Sequence, residues 1–154
     1  MHCSVARTLN LIGDPWTPLI LRDLLAGLTR FDQIAEDLGI SRNLLTQRLE
    51  HLMRGGVVVR TAYQQHPPRY DYALTMAGLD LAPVIMALVA WGDRWVTPEG
   101  GPPIVFEHDC GETITPVMMC PACGRPATAH SVRAHPGPGA RVAPGTAVIA
   151  LIAP

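Results

Sequence analysis

The sequence contains no lysine, so all twelve of its positive charges are arginine, and against thirteen acidic residues they leave a formal net charge of -1. That balance excludes attraction to nucleic acid through global charge, and any basic surface has to be local. An arginine-only set is what a GC-rich genome produces, but it also supplies forked donors that suit phosphates and guanine edges. Long apolar runs are missing too. The longest, LAPVIMALVAW from Leu81 to Trp91, is about half of the roughly 20 residues a bilayer span needs, so no membrane partner is expected. The opening MHCSVARTLNLIG lacks the basic, apolar and small-residue regions of a signal peptide, which makes the cytoplasm the expected location. In that reducing compartment Cys3, Cys110, Cys120 and Cys123 read as free thiols or metal ligands rather than disulfides. No glycine-rich phosphate loop, serine nucleophile elbow or pair of carboxylates stands out, and an enzyme is not expected.

What is present is enough apolar residue, 48 % of a 154-residue chain, for one ordinary core with a small appendage. Composition shifts twice along the chain. It is regular and helix-rich to about Val96, and TPEGGPP (Thr97 to Pro103) marks a boundary. HPGPGARVAPG (His135 to Gly145) reads as linker. The expected divisions are a DNA-binding and dimerisation domain over 1–97, a zinc-ribbon-like segment over 104–134, and a linker with an apolar tail over 135–154. The tail TAVIALIAP suits either a docked strand or a frayed end.

Val5, Leu9 and Ile12 predict a short helix ended by Gly13, and a second helix is expected from about Pro18 to Gly27, carrying Leu19, Ile20, Leu24 and Leu25. Phe31, Ile34, Ala35 and Leu38 lie on one helical face. Gly39 then breaks the chain and Ser41 caps the next helix. Within that helix Leu45, Leu49 and Leu52 form the inward stripe, while Arg42, Asn43, Thr46 and Gln47 occupy the other faces near its start. Two helices across a tight glycine turn, the second presenting donors and acceptors, match a helix-turn-helix; an ordinary helix corner with a solvated face shows the same pattern. VVVRTAY, the breaker-rich QQHPPR and YDYAL then predict a β-hairpin, the wing of a winged helix, with His66 and Arg69 at its tip. From Ser41 to Arg69 five arginines stand against one acid, Glu50, the local positive footprint of a phosphate-contacting surface. Arg48 reads equally as a phosphate contact or as an ion-pair partner of Asp23 or Asp32.

CSVARTLNLIGDPWTPLILRDLLAGLTRF, ISRNLLTQRLEHL, PPRYDYALTMAG and WGDRW together resemble the HxlR-type winged helix-turn-helix transcriptional regulators over about residues 3 to 95. The resemblance implies a mainly α fold with a small β wing and a homodimer. It also implies duplex DNA bound through the helix from Ser41 to Met53, and an N-terminal cysteine, here Cys3, that senses oxidants or electrophiles. An oxidant or small molecule would then be the inducer. Pro15 and Pro18 depart from the family pattern and leave the start of the second helix open. A dimer is also suggested by the broad stripe Leu81, Val84, Ile85, Leu88, Trp91 and Trp95 on a helix capped by Thr75 and bent at Pro83.

HDCGETITPVMMCPACG, His108 to Gly124, is not explained by a helix-turn-helix. Cys120-Pro-Ala-Cys123-Gly is a knuckle whose two sulfurs can face one ion, TITPVMM can return as a strand, and His108 and Cys110 share one side of an extended chain. One nitrogen and three sulfurs make a closed set for a structural zinc ion, with His130 or Asp109 as alternatives to His108. The other reading is a metal-free hairpin with spare thiols. An alternative function for the whole chain is a zinc-ribbon adaptor that makes protein contacts.

Overall fold

The structure is a computed structural model and describes residues 3–96, 99–143 and 146. Two compact units share the chain, one from Ser4 to Ile85 and one that takes in Cys3 and the residues from Met86 onward. The first unit contains helices α1 (Ser4–Ile12), α2 (Thr17–Leu25), α3 (Phe31–Leu38) and α4 (Arg42–Arg54), then strands β1 (Val58–Gln65) and β2 (Pro68–Leu74) and the one-turn helix α5 (Met76–Leu79). Helix α6 (Ala82–Trp95) begins in the first unit and ends in the second. The sequence boundary at Thr97 to Pro103 therefore lies later than the division between units, because Ile85 is buried in the first unit's core while the continuous helix carries on past it.

The core is built from the apolar faces that the periodicity marks. Ile20, Leu21, Ile34, Leu45, Leu49 and Leu52 are all buried, joined by Val57 and Val58 at the entry to the wing. Gly39 ends α3 in the left-handed region (φ 60°), Ile40 is buried behind it, and the Ser41 hydroxyl accepts from Leu44 N–H to start α4. Leu19 is the exception on α2, standing at the surface.

Strands β1 and β2 pair antiparallel, Val58 opposite Leu74 through Gln65 opposite Pro68, with an irregularity between Ala62 and Gln64. The wing turn is tighter than QQHPPR suggests: only His66 and Pro67 lie outside the strands, and the Gln64 amide donates to both of their carbonyls. The link before α3 joins the wing as well, through a bridge between Arg30 and Asp71 and a bond from Tyr72 N–H to Thr29 O.

Beyond the wing, the Thr75 hydroxyl donates to Gly56 O and accepts from Gly78 N–H, capping α5 and tying it to the turn before β1. Pro83 does not bend a helix. It sits at the second residue of α6, where a missing N–H has no intrahelical partner to lose. The stretch Met76–Trp95 is 20 residues long and apolar enough to span a membrane on length and composition alone, which the shorter run LAPVIMALVAW is not. Of the predicted stripe on α6 only Ile85 is buried; Val84, Leu88, Trp91 and Trp95 are exposed.

In the second unit β3 (Phe106–Glu107) and β4 (Thr113–Ile114) form a two-residue hairpin. The strand expected over TITPVMM is confined to Thr113–Ile114, since Pro116 lacks a ladder donor. Met119 returns to pair with Pro126 in an isolated bridge. Apart from Thr146, the tail TAVIALIAP, read as either a docked strand or a frayed end, lies outside the described residues.

Candidate nucleic-acid interface

The N-terminal end of α4, the start of α3 and the inner face of the wing enclose an open groove of about 510 Å³. Arg30, Arg42, Arg60 and Arg69 line it, with Asn43 and Thr46 on the helix side. Three of those arginines lie over aromatic rings: Arg42 over Phe31 at 4.8 Å, Arg30 over Tyr63 at 4.9 Å and Arg60 over Tyr70 at 4.4 Å. Arg42 also donates to Asp32 at 2.5 Å, an ion pair in which both side chains are largely exposed. Such a pair is worth about 0–1 kcal/mol, so a phosphate or base edge can compete for Arg42. Arg30 stands 3.7 Å from Asp71.

Asn43, Thr46 and Gln47 are exposed on α4, as the sequence predicts. The Thr46 hydroxyl donates to Arg42 O at 2.9 Å. Ser41 is at the surface with its oxygen engaged in the cap, leaving its O–H as the group free to donate outward. His66 and Arg69 are exposed at the wing tip.

Arg48 is directed elsewhere. Its Nε lies 3.1 Å from Asp14, and neither of the partners suggested by the sequence, Asp23 or Asp32, is involved. Asp23 is taken by Arg22, which also reaches Asp37, and Asp32 by Arg42. Arg48 thus ties the middle of α4 to the α1–α2 turn through an ion pair with an acid the sequence did not single out. Asp14 organises the same turn by accepting from Trp16 N–H, Thr17 N–H and the Thr17 hydroxyl. His51 makes a second tie of this kind, its Nε2 hydrogen-bonded to Asn10 O at the end of α1.

Sequence reasoning missed Arg30, Tyr63 and Tyr70 as groove residues. Arg30 precedes the helix-turn-helix, and only its bridge to Asp71 places it at the wing. Arg60, the one charged residue in VVVRTAY, was the available signal for an exposed face of β1.

In the second unit the predicted metal ligands stand in two pairs. His108 Nδ1 is 3.3 Å from Cys110 Sγ, and the Cys120 and Cys123 side chains are in hydrogen-bonding contact. The backbone N–H of Arg125, aided by the Arg125 side chain and by Cys120, holds the Cys123 thiol below its ordinary range. The two pairs are not gathered into one set: among the described residues no group of three or more His, Cys, Asp or Glu is placed to hold a metal ion. Neither Asp109 nor His130 completes one. All four cysteines are free thiols, with Cys3 half-buried.

Residues 11–100 match the HxlR-like helix-turn-helix family. The chain belongs to that family. An HxlR-family protein of this kind is a DNA-binding transcriptional regulator and not an enzyme. An HTH-type transcriptional regulator of Mycobacterium tuberculosis (strain ATCC 25618 / H37Rv) is 44% identical over 137 residues, covering 88% of this chain and 87% of that one. The crystal structure of the transcription factor PA1607 superposes with a TM-score of 0.75 at 33% identity, over 86% of this chain and 93% of that one. Both similarities run beyond the HxlR segment, so the C-terminal unit is shared with relatives. The redox regulator HypR in its reduced form is similar over a shorter region, 61% of this chain and 96% of that one, with a TM-score of 0.56 and 32% identity.

Proposed function

We propose that this HxlR-family regulator binds duplex DNA sequence-specifically as a cytoplasmic homodimer, with the start of α4 in the major groove and the wing against the backbone. The observation that carries this reading is the arginine-lined groove beside exposed Asn43, Thr46 and Gln47. Amide side chains make bidentate contacts with adenine, and arginine with guanine or phosphate, so one surface supplies both base reading and backbone positioning. Replacing Asn43 or Gln47 by Ala is expected to cost about 1–3 kcal/mol on the preferred site and to relax base choice there. Arg69→Ala should weaken all sequences alike and lower the salt slope by about one. Selection of bound genomic fragments followed by titration of each variant provides the measurement; unchanged specific affinity in both amide variants would sink the assignment.

The homodimer is supported by apolar surface on two helices. Val5 and Leu9 on α1 are 66% and 56% exposed, and Leu88, Trp91 and Trp95 on α6 are 53–63% exposed. On α6 these residues fall one helical turn apart along a single stripe, a self-complementary seam of the kind a two-fold dimer buries. A dimer presents two recognition helices to the half-sites of a pseudo-palindrome.

We also assign Cys3 a regulatory role, oxidation or alkylation of its thiol altering DNA affinity. It stands immediately before α1 as a free, only half-buried thiol within reach of small reagents, and a similar regulator, HypR, is itself a redox regulator. Binding assays with diamide, peroxide or a quinone should show a response in the wild type that Cys3→Ser loses. A serine variant that responds like the wild type refutes this role.

A further inference from the structure

We propose that the turns around His108–Gly111 and Cys120–Gly124 are the two halves of one structural zinc site, with His108, Cys110, Cys120 and Cys123 as its four ligands. The backbone wiring of the turns is the first ground. In the first, His108 N–H bonds to Glu112 O and Gly111 N–H returns to His108 O; in the second, Cys120 N–H bonds to Arg125 O and Gly124 N–H returns to Cys120 O. Each turn places one ligand at the strand end and the other just before a glycine with positive φ, 86° at Gly111 and 66° at Gly124. Only glycine adopts that conformation without strain, and it lets the chain double back so that both ligands project to the same side. The first turn is a one-residue-shorter version of the second.

The spacing of the donors is the second ground. Zn–N near 2.0 Å and Zn–S near 2.3 Å at a tetrahedral angle put such ligands about 3.5 Å apart. His108 Nδ1 and Cys110 Sγ stand in hydrogen-bonding contact at 3.3 Å, with Nδ1 also accepting from Cys110 N–H, a separation close to the one a shared zinc ion sets. Each pair is a bidentate half, and closing the tetrahedron requires the hairpin ends to approach one another.

The need for a cross-link is the third. None of residues 99–143 is buried; Phe106, Ile114 and Cys120 are only half-buried, and Val105, Val117 and Met118 are exposed. A segment of this size without a core draws its folding free energy from elsewhere, and metal binding is the usual source. A Cys120–Cys123 disulfide would close only its own turn and leave the His108–Cys110 hairpin untied. With four protein ligands no position is open to water, and the ion is structural.

The full chain, purified without added metal, is expected to contain about one zinc per chain by elemental analysis. Cobalt substitution should give a tetrahedral visible spectrum with thiolate charge-transfer bands, weakened in Cys110→Ser, and His108→Ala should shift the ligand-field bands. Chelation should speed alkylation of Cys110, Cys120 and Cys123 and increase amide exchange over 104–126 while leaving α2 to α4 protected. Zinc near zero with these thiols freely alkylated in the untreated protein overturns the proposal. So does an unchanged cobalt spectrum in both variants, or a disulfide joining any two of the three cysteines in reduced preparations. DNA titration of the same sample is an independent readout, so failure here and failure of the DNA-binding reading are distinguishable.

Discussion

Introducing charge at the centre of the α6 stripe, as Leu88→Glu with Trp91→Glu, is expected to convert the protein to a monomer and to lower affinity for a full operator by about 10²- to 10⁴-fold. The range is that of losing a tethered second binding event. Both residues are more than half exposed in the single chain, so the substitutions remove no intramolecular core and the helical domain should keep its thermal transition. Binding to a single half-site or to random duplex should change little, because the α4–wing groove lies on other elements. Sedimentation and operator titration together decide the matter: a double variant that remains dimeric with full operator affinity shows that the seam lies elsewhere.

The second large effect is expected at Asp14. Asp14→Ala removes the acceptor that starts α2 and strands the half-buried Arg48 guanidinium. Loss of the cap and of the charged contact together should cost about 3 kcal/mol, a drop in Tm of about 15 °C for a domain of this size. DNA affinity should fall less than stability, since the pair sits between α4 and the α1–α2 turn and neither Arg48 nor Asp14 lines the groove. Burial acts to raise the Asp14 pKa, but bonds from the Thr17 hydroxyl and from Trp16 and Thr17 N–H, with Arg48 nearby, outweigh it and hold the carboxyl below 3.8. Its contribution is therefore present above that value and lost as pH falls through the lower folded-state pKa. Asp23 has the opposite sign: burial raises its pKa despite Arg22, so protonation there favours the fold. Acid unfolding of wild type and Asp14→Ala should converge at the lowest pH. Equal Tm values at pH 7 would refute the structural role of this pair.

The helix-turn-helix was legible because its stripes are local: Leu45, Leu49 and Leu52 repeat at helical spacing and each is buried. Gly39 and Ser41 signal their roles through backbone and capping preferences that need no tertiary information. The ion pairs were not legible, because an acid can serve any arginine the fold brings near. Asp14 reaches Arg48 across the α1–α2 turn, a pairing that depends on where that turn meets α4. Arg30 joins the groove only through pairing with β2. The stripe on α6 could be seen as apolar, but its exposure could not, since sequence periodicity marks a face without naming what covers it. His108 and Cys110 were legible as neighbours, whereas their separation from Cys120 and Cys123 depends on hairpin geometry.

The arginines stacked on Phe31, Tyr63 and Tyr70 bear on how much order the duplex itself must impose. A free arginine gives up as much as about 2 kcal/mol of rotamer entropy when it is immobilised. Resting over a ring, a guanidinium at the groove has already surrendered part of that freedom during folding. Lysine would not serve the same end, because its compact ammonium holds its water more tightly and carries no plane to lie on a ring. The complete absence of lysine from the chain thus coincides with a binding surface whose cations are partly frozen beforehand, so that encounter with DNA orders fewer side chains than a lysine-lined groove would require.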